Sequence, residues 1–232
     1  MRIDAVGNNQ RRGIMQQDKP VRAQARLYYI HDPMCSWCWA FQPVWRALRA
    51  QLPASLAVHD LLGGLAADSD LPMPLSMQQA IQAHWRRIER VVPGTVFNFA
   101  FWQQCIARRS TYPACRAVIV ARKQQAAEAM IRAIGEAYYQ QARNPSDDDV
   151  LVACAAGLGL DATQFRRDLN AVETELQLQQ EMAMARRLGV TGFPSLVLET
   201  AAGLFPLDID YCDMTGMLSA IFRVLHGDSC AQ

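Results

Sequence analysis

Two thiols three residues apart, where a strand hands over to a helix, constrain this chain more than any other feature. Cys35-Ser36-Trp37-Cys38 follows the run Leu27-Tyr28-Tyr29-Ile30 and opens an amphipathic segment from Trp39 to Leu48. The first N–H groups of a helix lack intrahelical partners and favour negative charge. A cysteine there ionises more readily and becomes a stronger nucleophile. Cys35 is therefore the expected attacking thiolate, and Cys38, one turn further in, the expected resolving thiol. A single thiol would stay trapped as a mixed disulfide, whereas a pair permits turnover.

The pattern on either side sets the fold class. Arg26 to Ile30 reads as a strand bounded by Asp32-Pro33. Phe41, Val44, Trp45 and Leu48 share one helical face, with Pro43 inside it as an expected kink. Ser55 to Leu62 reads as a second strand closed by Gly63-Gly64, which completes a β-α-β crossover of a parallel sheet. Residues 66–188 then read as all helix. Ser76 and Gln79 suggest a capping box, Phe97 to Trp102 a helix, and Ser146 a cap ahead of Asp147, Asp148 and Asp149. Asp161 caps a short helix, and the last helix of the block runs from Val172 to Leu188 with Gly189 as its stop. Strand character returns at Ser195 to Glu199, which pairs as a hairpin with Leu204-Phe205. A helix from Asp210 to Leu225, ended by Gly227, closes the chain. The order is β-α-β, a helical block, then β-β-α. An α/β protein is expected: with the block as an insertion, the outer pieces form one mixed sheet with helices on its faces, and the block is a cap near the sheet end that carries the cysteines. The expected divisions are a flexible leader at 1–24, an N-terminal half at 25–65, an insertion at 66–188 and a C-terminal half at 189–228.

Composition narrows the function classes. With 23 Lys and Arg against 22 Asp and Glu the formal net charge is +1, which argues against a nucleic-acid or membrane-surface role. The polar start contains Arg11-Arg12 but no apolar core after them, so it does not read as a secretory signal, and a cytoplasmic location is expected. The seven cysteines are an odd number; Cys105, Cys115, Cys154, Cys212 and Cys230 read as small core residues. A zinc site would need more ligands than this pair, and His31, His59, His84 and His226 are scattered, so no metal is expected. Two purely structural cysteines are the remaining bland reading.

The segment His31-Asp32-Pro33-Met34-Cys35-Ser36-Trp37-Cys38-Trp39-Ala40-Phe41 resembles the active site of the DsbA-like, thioredoxin-fold oxidoreductases. It is most similar to the signal-less FrnE-like bacterial branch, as are Leu62-Gly63-Gly64-Leu65 and Pro113-Ala114-Cys115-Arg116-Ala117. The resemblance covers residues 26–225 and implies a thioredoxin fold interrupted by a large all-helical insertion. It also implies a cis-proline before the third strand, and Pro194 stands there. Pro194 would face Cys35, and the backbone of Phe193 would pair with an extended substrate segment. Trp37, Met34 and Phe193 would form an apolar rim, although simple packing of Trp37 against the cap is an equal alternative. Ser36 is auxiliary. Asp32 either caps the helix or relays protons to Cys38, the cap being preferred. The DsbA oxidase has Pro-His between its cysteines. Ser36-Trp37 lacks that histidine, so a less oxidising couple is expected, of reductase or isomerase type. The implied partners are protein or peptide thiols and disulfides, with glutathione as a candidate reductant and no cofactor beyond the redox-active disulfide. Two other classes remain open. One is a glutathione-linked enzyme like the kappa-class transferases and hydroxychromene-carboxylate isomerases, which need one activated group rather than two. The other is a redox-inactive polypeptide-binding module. Oligomeric state is left open.

Overall fold

Side-chain alternation along the first strand decides how the layers stack. In this computed structural model, which describes residues 25–227, β1 (Arg26–His31) sends Leu27 and Tyr29 to one face and Tyr28 and Ile30 to the other. Both faces are covered, so the strand reads as a continuous apolar run. Leu27 and Tyr29 pack with Phe41, Trp45 and Leu48 of α1 (Ser36–Gln51) and with Met217 and Ile221 of α9 (Thr215–His226). Tyr28 and Ile30 pack with Ala185 of α8 (Val172–Arg187) and with Leu188 just after it. The leader 1–24 and Cys230 lie outside the described residues.

The sheet is mixed, in the order β2-β1-β3-β4. β1 runs parallel to β2 (Ala57–Leu62) and antiparallel to β3 (Ser195–Thr200), which pairs antiparallel with β4 (Gly203–Leu207). Pro206 sits on β4, at an edge, where a missing N–H costs least. Between β2 and β3 the chain forms α2 (Leu75–Val91), α3 (Phe101–Gln104), α4 (Tyr112–Arg122), α5 (Ala127–Tyr139), α6 (Asp148–Gly157), α7 (Ala162–Leu169) and α8. These helices share a large apolar core centred on fully buried Trp85, whose ring stacks on Phe97 at 4.9 Å. α8 belongs to both layers: Leu178 and Met182 join the helical core while Ala185 joins the sheet. Glu181 on the same helix accepts from the Leu62 N–H at 2.9 Å and pairs with Arg122 at 2.5 Å, tying β2, α4 and α8 together.

The α/β class and the element order match the sequence expectation, but several local expectations fail for physical reasons. The aromatic patch 97–102 is largely not helical, because Asn98 is committed elsewhere. Its N–H reaches the Tyr139 carbonyl at 2.7 Å and its side chain the Gln140 carbonyl at 2.9 Å, leaving only Phe101–Gln104 to coil. The capping box at Ser76 and Gln79 does not form; α2 starts at Leu75 behind Pro74, without a side-chain cap. Ser146 does not cap α6; its hydroxyl donates to the Ser110 carbonyl at 2.7 Å and Asp147 takes the cap position. The last helix starts at Thr215 rather than Asp210, because Asp210 accepts the N–H groups of Cys212 and Asp213 in a turn. Asp161 does cap α7, accepting from the N–H groups of Thr163 and Gln164 at 2.9 Å. Cys212 is exposed and Cys105 half-buried, so among the described residues the expectation of core cysteines holds for Cys115 and Cys154 and fails for these two.

His31 ends β1 in full burial, stacked on Tyr29 with ring centroids 4.7 Å apart and neither ring nitrogen hydrogen-bonded. Burial lowers its pKa from 6.5 to about 4. The unfolded chain therefore binds a proton that the fold refuses. Stability is complete above the unfolded value and falls as pH drops toward the folded one. Asp32 next to it is pushed up by burial, which works in the opposite direction on the acid side. Urea unfolding of the wild type and of His31→Phe, at pH 7 and pH 4, separates the two. The wild type should lose about 3 kcal/mol more than the variant over that range.

Candidate active site

Cys35 is the N-cap of α1, with extended backbone (φ −84, ψ 117), and the Trp39 N–H bonds its carbonyl at 2.9 Å. Cys38 lies one turn inside. Both thiols are free and buried, Cys35 at 7% exposure and Cys38 at 2%. The Cys35 thiol is held below the ordinary thiol range, chiefly because the Cys38 thiol donates to it. Burial opposes this, and the Cys38 and Trp37 amides at the helix start assist it. No cation is among the groups that chiefly set it. Cys38 is pushed well up by burial first and by Cys35 second. Of the two, Cys35 is therefore the thiol that gives up its proton first.

Facing these thiols is the turn into β3. The Phe193–Pro194 peptide is cis, and the Cys35 thiol donates to the Phe193 carbonyl at 3.5 Å. The turn and the thiols, far apart in sequence, are thus brought together. The Phe193 ring lies over Gly63, where a Cβ would fall 2.1 Å from it. The pair Gly63-Gly64 therefore does more than end a strand. Gly63 admits the ring, and Gly64 turns the chain at φ +63.

Asp32 is fully buried and does not cap α1, contrary to the preferred expectation; the cap position belongs to Cys35. One carboxylate oxygen accepts from the Met34 N–H at 2.8 Å. The other accepts from the Leu65 N–H at 2.8 Å, the Thr111 hydroxyl at 2.7 Å and the Cys115 thiol at 3.5 Å. The side chain thus ties the thiol loop to the exit of β2 and to the start of α4. Cys115, read from sequence as a small core residue, is one of its donors.

A groove of about 310 Å³ opens beside Cys35. Met34, Ser36, Trp37 and Phe193 line it, together with Trp85, Tyr138 and Arg109 from the helical layer. Trp37 borders this groove, packs against the helical core as the second sequence alternative has it, and also meets Tyr211 at 4.9 Å and the Arg87 guanidinium. Trp85, Tyr138 and Arg109 were not singled out as site residues. Trp85 and Tyr138 carry an apolar helical periodicity that reads as core, and Arg109 sits in a stretch without periodicity at all.

Residues 28–208 match the DSBA-like thioredoxin domain family. A solved structure from Nitrosomonas europaea superposes with a TM-score of 0.75 at 24% identity, covering 89% of this chain and all of that one. The cytosolic disulfide reductase DsbM of Pseudomonas aeruginosa gives 0.68 at 24% identity, covering 88% of this chain and 98% of that one. Among curated relatives, the ClpXP adapter protein SpxH of Halalkalibacterium halodurans is 24% identical over 78% of this chain and 60% of its own length. The chain thus spans about three fifths of the curated relatives it matches. At these identities the structural likeness is one of fold.

The thiol geometry is testable by alkylation. The pH midpoint of iodoacetamide labelling at Cys35, read by mass spectrometry, should lie below that of a free peptide thiol. Cys38→Ala removes the principal donor and should move the midpoint upward. Cys38 in the wild-type protein should stay unlabelled throughout.

Proposed function

The chain belongs to the DSBA-like thioredoxin domain family, and from that premise we propose that it is a cytoplasmic disulfide reductase or isomerase acting through Cys35 and Cys38. The observation that carries this reading is the placement of two free thiols at the start of α1, with Cys35 as N-cap against the cis Phe193–Pro194 turn; the lowered Cys35 and raised Cys38 thiols accord with it. The Cys35 thiolate attacks a substrate disulfide, forms a mixed disulfide and releases one thiolate, which takes up a proton. Cys35 then carries no charge, so one cause of the raised Cys38 pKa disappears. The Asp32 backbone amide, which favours the Cys38 thiolate, remains. Cys38 attacks the Cys35 sulfur, the substrate leaves as its second thiol, and a Cys35–Cys38 disulfide is left. Glutathione is the candidate reductant that resets it. The solved DsbM structure with GSH is a precedent among proteins of similar fold. Phe193 and Pro194 would hold an extended substrate segment by strand addition, with Trp37 and Met34 as the apolar rim. Ser36 would sit at the helix start beside the reacting sulfur, and Asp32 would position the loop.

The reductase preference rests on what stabilises the Cys35 thiolate. Its support comes from a neighbouring thiol and two helix-start amides, not from an adjacent cation. A weaker anchor for the thiolate gives a less oxidising disulfide. The location is supported by the cytosolic DsbM likeness. Among the described residues no helix is long and apolar enough to cross a membrane. The competing reading is an adaptor without redox turnover, favoured by the likeness to SpxH. Against it stands the intact, asymmetric pair.

In an insulin reduction assay with glutathione, Cys35→Ser should abolish activity, and Cys38→Ser should accumulate mixed disulfides visible on non-reducing gels. Glutathione titration of the pair should give a potential of about −200 to −270 mV rather than the oxidase-like value near about −120 mV. Full insulin reduction by Cys35→Ser would assign the activity elsewhere.

A further inference from the structure

The groove beside Cys35 is apolar on most of its wall but carries an unmatched positive charge. Arg109 lines it, half-buried, with no hydrogen bond or ion pair to any described residue. The other ionisable side chains on the helical wall are His84 and Tyr138, and no carboxylate lines the groove. Asp32, beneath the thiols, cannot serve as a counter-ion because its two oxygens are committed to Met34, Leu65, Thr111 and Cys115. Fully buried Trp85 lines the same groove, and its indole N–H has no partner. Tyr138 adds a hydroxyl close enough to feel the Arg109 charge. Arg116, buried in the same layer, is by contrast paired with both Asp68 and Glu175. Two donors without acceptors among the described residues, the Arg109 guanidinium and the Trp85 indole, thus line the groove that opens beside Cys35, a lining suited to an anionic group.

We propose that Arg109, with Trp85 beside it, forms a carboxylate subsite that selects small carboxylate-bearing thiols and disulfides of the glutathione type for reaction at Cys35. This rests on the dithiol reading above and names its low-molecular-weight partner and the residue that recognises it. With glutathione disulfide, the Cys35 thiolate attacks one sulfur while a glutathione carboxylate is held by Arg109. The disulfide bond breaks, a Cys35–glutathione mixed disulfide forms, and the departing glutathione thiolate takes a proton from solvent. Cys38, as its thiolate, then attacks the Cys35 sulfur and expels the second glutathione. The two protein thiols lose two electrons and two protons, which the two glutathione molecules gain. In reverse, the same subsite holds the glutathione that reduces the protein. An adjacent carboxylate-binding guanidinium would act on affinity and on the rate of the first attack, not on the intrinsic reactivity of the sulfur.

Two measurements on the full chain test this. The first is binding of S-methylglutathione, which cannot exchange, followed by tryptophan fluorescence; Trp37 and Trp85 both line the groove. Wild type should bind it, Arg109→Gln should bind about tenfold more weakly, and Arg109→Lys should fall between. The second is the rate of oxidation of the reduced protein by glutathione disulfide and by neutral bis(2-hydroxyethyl) disulfide. Arg109→Gln should slow the first about tenfold and leave the second within about twofold. Equal slowing with both disulfides, no slowing with either, or no binding of S-methylglutathione by the wild type would each overturn the subsite. So would binding of an acidic polypeptide in place of S-methylglutathione, which would assign Arg109 to protein partners. Normal S-methylglutathione binding without exchange at Cys35 would sink the dithiol reading and leave the subsite standing.

Discussion

One buried carboxylate holds the reactive end of this molecule together. Asp32 receives the Met34 N–H of the thiol loop, the Leu65 N–H beyond β2, and the Thr111 and Cys115 side chains at the start of α4. Burying an isolated carboxylate costs several kcal/mol. Hydrogen bonds to a charged acceptor return about 1.5–3 kcal/mol each, so four donors can sustain what one cap bond could not. Burial still wins in the sense that the carboxyl is pushed up. The result is a joint between sheet and helical layer directly under Cys35 and Cys38.

That joint explains why the helical layer is part of the candidate site. A β-α-β unit with its thiols at a helix start would leave Cys35 open to solvent on the side away from the sheet. Here the helical layer, through Trp85, Tyr138 and Arg109, supplies a wall, and the turn at Phe193 supplies the opposite side. Low exposure of both sulfurs follows. So does their strong mutual influence, since a charge shared between neighbouring groups is felt more when water is excluded.

Much of this architecture was legible in the sequence. Period-two and period-3.6 patterns located every strand and most helices to within a few residues, because burial on one face imposes its own spacing. Errors fell where polar side chains had two uses. Asn98, Ser146 and Asp210 each could have served a helix, and each instead bonds to chain distant in sequence or to a turn. Asp32 is the same case at the active site. Local sequence offered a helix cap, and tertiary contact offered four donors.

By itself the sequence determined the thiol pair and the frame around it. Two cysteines at a strand-to-helix junction, the β-α-β and β-β-α halves, and the helical run between them all follow from local spacing. Only the tertiary structure decided the environment of the thiols: that the Phe193 carbonyl meets Cys35, that Gly63 yields room to the Phe193 ring, and that Arg109 lines the groove with no ion pair to any described residue. The physical reason is that pattern encodes which face of an element is buried, whereas a site is set by which distant groups burial brings to the same few ångströms. Desolvation and hydrogen bonding act at that range and leave no periodic trace in the chain.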